Sequence, residues 1–180
     1  MSVPTVSEAG ALITRSACLV RPLRPTDIAP LIEVFRAAVR VTARRDYSEE
    51  QVRAWAPDEI DPNTWAKRYD TRLAWIAEID GNVAGFIELE ARGHVDMMYV
   101  HPAHQRRGVA TALLAELEDK AREEGAERLF TDASITARSF FERRGFVLIA
   151  PQTVALRGQP FVNFRMEKPL EVVATSTAAP

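Results

Sequence analysis

HVDMMYVHPAHQRRGVATALLAELEDKAREE, residues 94–124, is the stretch that decides the fold. His94–Val100 is a short apolar run ending at the turn His101-Pro102, and it predicts a strand. A basic loop, Gln105-Arg106-Arg107-Gly108, follows. Val109, Leu113, Leu117 and Ala121, with Ala110 and Leu114 beside them, then recur at helical spacing. Glu116, Glu118, Asp119, Lys120, Glu123 and Glu124 fill the other side, and Gly125 is a natural stop. The first free N–H groups of such a helix point back at the loop and carry partial positive charge. Arg106 and Arg107 add full charges, Gly108 and Ala110 keep the backbone open, and no acid intervenes before Glu116. This is a site for an anion, most simply a phosphate. It is no Walker loop, because no Gly-Lys-Ser/Thr follows, and no dinucleotide fingerprint, because Gly-x-Gly-x-x-Gly is missing.

Gln105-Arg106-Arg107-Gly108-Val109-Ala110 resembles the Arg/Gln-x-x-Gly-x-Gly/Ala loop of the GCN5-related N-acetyltransferases, in their bacterial small-acetyltransferase branch. A strand ending in Val100-His101-Pro102 precedes it, as in that family. A second hallmark, Ala-x-x-x-Tyr-x-x-x-Gly-Phe, is similar to Ala137–Phe146 (ARSFFERRGF). The resemblance spans residues 19–168. It implies a mixed central sheet of six to seven strands flanked by four to five helices. The strands equivalent to His94–Val100 and Leu129–Ala133 would splay, and acetyl-CoA would thread the gap. It further implies that Gln105, Arg106, Arg107, Gly108, Val109, Ala110 and Thr111 hold the pyrophosphate. A backbone N–H near Met98 would bind the thioester oxygen, and Val100 would pair with the pantetheine arm. Ser134 stands where many members have an Asn that contacts the pantetheine. Phe141 stands where many have a Tyr that protonates the departing thiolate; without a hydroxyl there, Tyr99 or Ser139 could serve, or the thiolate could leave unaided.

Outward from this stretch, the chain of 180 residues suits one domain, expected over residues 17–169, between disordered segments 1–16 and 170–180. Hydrophobic residues make up 47% and charged residues 27%, enough for a full core under a wetted surface. A net charge of −2 offers no general attraction to nucleic acid or anionic lipid, which weighs against tRNA or DNA as substrate. Cys18 is the one cysteine and forms no internal disulfide. With no signal peptide and no membrane-length apolar run, the reading is cytoplasmic.

Ala17–Arg21 predicts a strand. Asp27 is a good N-cap for a helix carrying Leu31, Phe35 and Val39, with Pro30 in its first turn. Ser48-Glu49-Glu50-Gln51 is a capping box, and Asp61-Pro62-Asn63-Thr64 opens a further helix. Leu73–Ile79 and Val83–Glu90 read as strands joined at Asp80-Gly81-Asn82. Leu129–Ala133, Phe146–Ala155 and Phe161–Glu167 are the remaining strands, and Thr136–Arg144 is a helix stopped by Gly145. Tyr47, Trp55, Trp65 and Tyr69 lie close together in sequence. They read either as helix-to-sheet packing or, Tyr47 and Trp55 foremost, as the wall of an acceptor pocket.

For the chemistry, acetyl transfer to an amine needs a proton acceptor. Strand alternation places His94, Asp96, Met98 and Val100 on one face, which makes Asp96 and His94 the candidate bases. Glu88 and Glu90 share a face of the preceding strand and read as solvated. The spacing of His94, His101 and His104 fits no metal pattern, so no metal is expected. The expected function is transfer of the acetyl group of acetyl-CoA to a primary amine, with a small molecule as first choice. A protein or peptide amine and a non-catalytic acyl-CoA-binding module are the alternatives. A second copy of the chain, as a homodimer, is the one macromolecular partner kept in view.

Overall fold

The computed structural model describes residues 17–171. The expectations for residues 1–16 and 172–180 lie outside these. Seven strands form one mixed sheet: β1 (Leu19–Pro22), β2 (Leu73–Ile79), β3 (Asn82–Glu90), β4 (His94–Val100), β5 (Arg128–Ser134), β6 (Val147–Leu156) and β7 (Gln159–Pro169). Their order is β1-β2-β3-β4-β5-β7-β6. Every neighbouring pair is antiparallel except β4 and β5. Helices α1 (Ile28–Ala37), α2 (Glu49–Trp55) and α3 (Pro62–Arg68) lie on one side, and α4 (Val109–Glu123) and α5 (Ile135–Arg143) on the other. Two cores result. Leu31, Phe35, Val39, Ile76 and Phe86 make one, and Ile87, Val95, Leu113, Leu117, Leu129 and Met166 make the other. Among the described residues no helix is long and apolar enough to cross a membrane.

Local chemistry explains most boundaries. Asp80 and Gly81 both have positive φ, 52° and 76°, the backbone that a two-residue hairpin turn needs, so Asn82 already belongs to β3. Ser48 accepts a hydrogen bond from the Gln51 N–H, and the Gln51 side chain accepts one from Ser48, which completes the capping box of α2. Asp61 accepts from the N–H groups of Asn63 and Thr64 at the start of α3. Asp27 does not cap α1. It sits in a 3₁₀ turn, where its carboxylate takes the Arg24 N–H at 2.7 Å and pairs with Arg21 at 2.8 Å. Beyond α1 the chain continues as a π-helical turn, Ala38–Thr42, and a 3₁₀ turn, Ala43–Arg45, which helical periodicity does not announce. Leu170 is buried and donates its N–H to the Glu127 carbonyl, so packing runs one residue past the expected boundary.

The junction of β4 and β5 positions everything that follows. Their only paired residues are His94 and Phe130. One step on, the Thr131 hydroxyl donates to the Val95 carbonyl at 2.8 Å, and from there the strands part. Gly93 makes this junction. Its φ is +85°, and a Cβ on it would stand 2.1 Å from the Arg128 carbonyl oxygen. Gly93→Ala combines backbone strain with that clash, a cost of about 3 kcal/mol. The expected result is a melting temperature lowered by roughly 6–12 °C in a domain of this size. A calorimetric midpoint within about 2 °C of wild type would show that the junction yields freely.

Candidate active site

The opening between β4 and β5 leads into a cleft of about 350 Å³. Its floor is Met98, Tyr99 and Val100 of β4. Gln105, Arg106 and Gly108–Thr111 form one wall, Ser134 and α5 the second, and the π-helical turn after α1 the third. Gly108 precedes α4 with φ +87° and no side-chain cap. Among the described residues, the N–H groups of Gly108–Thr111 have no hydrogen-bond partner. Arg45, Arg106, Arg143 and Arg144 reach the cleft, and no Asp or Glu lines it. An uncapped helix start among four arginines is built for an extended polyanion.

Two of the loop residues act by tying elements together. The Gln105 amide donates to the Thr42 hydroxyl at 2.7 Å, holding the loop against the π-helical turn. Thr111 accepts from Arg144 at 2.7 Å, joining α4 to α5. Arg107 does not line the cleft; it lies beside His104, 3.2 Å away. Arg45, Arg143 and Arg144 were not singled out from the sequence. The doublet Arg143-Arg144 beside Gly145 was the available sign, but only the fold turns the end of α5 toward α4.

A smaller cavity of about 70 Å³ lies deeper between the strands, lined by Asp96, Met98, Tyr99, Thr131, Asp132, Ser134 and Phe141 among others. Ser134 caps α5 through the Ala137 N–H at 3.1 Å. Phe141 is buried and packs on Phe140 and Phe146. Of the two hydroxyls considered in its place, Ser139 is exposed and lines neither cavity, whereas Tyr99 lines both. The Trp55 indole N–H donates to the Tyr99 oxygen at 3.1 Å, which leaves the phenol's own proton free. Burial pushes the Tyr99 phenol well above its ordinary pKa, and the charges of Asp96 and Glu88 add to the rise, so it stays protonated.

Alternation along β4 fails at a bulge. Ile87 faces Met98 and Leu89 faces Val95, so two residues of β4, Asp96 and Met97, lie opposite Glu88. Val95, Met98 and Val100 therefore meet the α4 core, while Met97 and Tyr99 meet the α1 core. The expected common face of His94, Asp96, Met98 and Val100 is thus broken in the middle. Asp96 turns toward α3, where its Oδ2 accepts from Arg68 at 2.7 Å and Arg72 at 2.6 Å. Both arginines also reach Glu88, which is fully buried rather than solvated and accepts the Tyr69 hydroxyl at 2.6 Å.

His94 is not in the cleft. It lies at the closed end of the strand pair, stacked on Phe130 at 4.8 Å with Nδ1 2.6 Å from Glu90. The ligating atoms of Glu90, His94 and Asp96 lie within 4.8 Å of one another, an arrangement that histidine spacing could not reveal. Arg72 binds both carboxylates, so a guanidinium already sits where a metal would go. Tyr47 is also absent from the cavities. It is buried, its oxygen accepts the Ile135 N–H at 2.8 Å, and it thereby secures the start of α5. Trp55 lines the cleft.

Comparison with known proteins gives this geometry its family. The family model described as an acetyltransferase (GNAT) domain matches residues 43–168. The chain belongs to the GNAT acetyltransferases. It is 40% identical over 147 residues to the uncharacterised N-acetyltransferase YafP of Escherichia coli (strain K12), an alignment covering 82% of this chain and 93% of YafP. A crystallised GCN5-related N-acetyltransferase (aminotransferase, class-II) from Rhodopseudomonas palustris superposes with a TM-score of 0.82 at 39% identity, covering 86% of this chain and 97% of that one. The PaiA N-acetyltransferase of Thermoplasma acidophilum, solved with coenzyme A, shares the fold at a TM-score of 0.70 and 23% identity, covering 85% and 99%. As a GNAT enzyme, the chain is an acetyl-CoA-dependent N-acetyltransferase, and the parting of β4 from β5 is the splay expected from its sequence.

Proposed function

We propose that this enzyme acetylates the primary amine of a small molecule. The observation that carries the reading is the arginine-lined, acid-free cleft leading from the start of α4 to the gap between β4 and β5. In it, the free N–H groups from Gly108 to Thr111 and the surrounding arginines hold the pyrophosphate. Met98 and Val100 run along the pantetheine arm, with Ser134 at the far wall. The acceptor approaches from the α3 side of β4. Asp96, held by two arginines, takes a proton from the ammonium, which frees its lone pair. The nitrogen attacks the thioester carbonyl, a C–N bond forms and the C–S bond breaks. As the amide forms, the nitrogen gives up its second proton. The departing thiolate takes one up through the Tyr99 hydroxyl, which passes on its own proton and regains one, the role that Phe141 has no hydroxyl to perform. The products are an N-acetyl amide and free coenzyme A.

Acetyl-CoA at about a hundredfold excess over its Kd should stabilise the protein by ~2.7 kcal/mol. In a domain of this size that is a rise in melting temperature of roughly 5–11 °C. Thiol release from acetyl-CoA, followed across a broad panel of small amines, tests the transfer itself. No thermal shift with acetyl-CoA, and no heat of binding by calorimetry, would remove the cofactor assignment. Acetylation of peptide amines alone would move the acceptor to protein.

A further inference from the structure

The α1–α3 side of the sheet holds another cavity, of about 410 Å³, which the cofactor cleft leaves free. Phe35, Trp55, Ile60, Trp65, Met97 and Leu156 form its apolar walls. Phe35 is buried and the other five are half-buried. The Phe35 and Trp65 rings lie 5.0 Å apart at 54°, and Phe35 meets Tyr99 at 5.0 Å and 88°. Tilted and edge-to-face rings of this kind accept a further flat ring well. The volume falls in the range of small-molecule sites.

Of the charged side chains around the cavity, Arg68 alone is held in ion pairs among the described residues. Arg68 donates to Glu88 and Asp96, Arg157 donates to the Ala54 carbonyl at 2.6 Å, and the Asp61 carboxylate caps α3. Glu59, exposed at the rim, has no hydrogen-bond or ion-pair partner among the described residues. The cavity meets the cofactor cleft at Trp55, which lines both. Met97, on its wall, is the bulge residue next to Asp96.

We infer that the acceptor is a primary amine carried on an aromatic body, seated in this cavity with its amine directed past Trp55 toward Asp96. This rests on the acetyltransferase reading above. Arg157, Glu59 and Asp61 line the cavity without an ion-pair partner among the described residues, one cation against two carboxylates, so an acceptor with its own carboxylate or phosphate meets a net negative lining. A polyamine meets apolar walls where it needs acids. A single ammonium on an apolar ring system finds a matching surface, a carboxylate at the entrance that attracts it on the way in, and Asp96 past Trp55.

The test compares phenethylamine and naphthylmethylamine with spermidine and phenylalanine as acceptors, by thiol release at saturating acetyl-CoA. The aromatic monoamines should show kcat/KM at least about tenfold higher, the span a well-formed apolar pocket supplies. Cyclohexylethylamine separates ring faces from bulk, and should fall below phenethylamine. Trp65→Ala should raise the KM for naphthylmethylamine about tenfold and leave the KM for acetyl-CoA unchanged. Trp65 contributes to packing, so Glu59→Lys, an exposed change, is the second variant. It should weaken the aromatic amines and improve phenylalanine. Spermidine or phenylalanine as the better acceptor overturns the inference and leaves acetyl transfer standing. So does turnover with none of these amines while acetyl-CoA still raises the melting temperature. A protein that neither binds acetyl-CoA nor releases thiol overturns the underlying reading instead.

Discussion

Gly108→Glu should abolish measurable acetyl-CoA binding and leave the fold intact. Gly108 has φ +87°, so any L-residue there carries left-handed backbone strain, about 1–2 kcal/mol. A Cβ at that position meets nothing within 4 Å, so the new side chain is tolerated sterically. Its carboxylate, however, enters a space bounded by Arg45, Arg106, Arg143 and Arg144 and by the free N–H groups of the first turn of α4. Tethered there, it occupies the anion site in place of the pyrophosphate. Calorimetry should show affinity weakened at least about a hundredfold, ~2.7 kcal/mol, the scale of two charge-assisted hydrogen bonds lost. Gly108→Ala separates strain from charge: it should lower the melting temperature by a few degrees and keep most of the affinity. Binding by the glutamate variant within threefold of wild type would mean that the pyrophosphate sits elsewhere.

Asp96→Asn should lower kcat at least about tenfold, and toward a hundredfold if deprotonation limits the rate, with acetyl-CoA affinity nearly intact. The bulge opposite Glu88 turns Asp96 toward α3, and the residue still lines the small cavity between the strands. Arg68 and Arg72 fix its Oδ2, and Oδ1 has no hydrogen-bond partner among the described residues. The amide keeps shape and loses the proton acceptor. His94→Ala should change kcat less than about threefold, because His94 lies at the closed end of the strands and lines no cavity of the site. The acidic limb of the pH–rate profile should therefore persist in the His94 variant and flatten in the Asp96 variant. Unchanged rates and profiles in both would leave deprotonation to another group or to solvent.

Much of this fold is legible along the chain because its causes are local. The strands Leu73–Ile79 and His94–Val100 occur as composition predicts, and the caps at Ser48 and Asp61 make the bonds that their side chains suggest. Helix α4 starts at Val109, right after Gly108, because its apolar stripe and that glycine are read in one window of sequence. The family resemblance of the Gln105–Ala110 loop is read from the same window.

Other assignments depended on partners far away in sequence. Tyr47 and Trp55, both aromatic and eight residues apart, differ in place: one secures the Ile135 N–H, the other separates two cavities. Glu88 looked solvated, and burial became affordable only once Arg68, Arg72 and Tyr69 converged on it. The bulge in β4 arises from register against β3, which strand alternation cannot express, and it separates Asp96 from Met98 and Val100. Sequence by itself determined most of the element order, the start of α4 after Gly108 and the family, because these depend on neighbours a few residues apart. Only the tertiary structure decided which way Asp96 and Glu88 turn, which arginines surround the cleft and which aromatics wall the cavity beside α3. Those contacts join residues tens of positions apart, and their geometry is set by strand register and packing rather than by any local pattern.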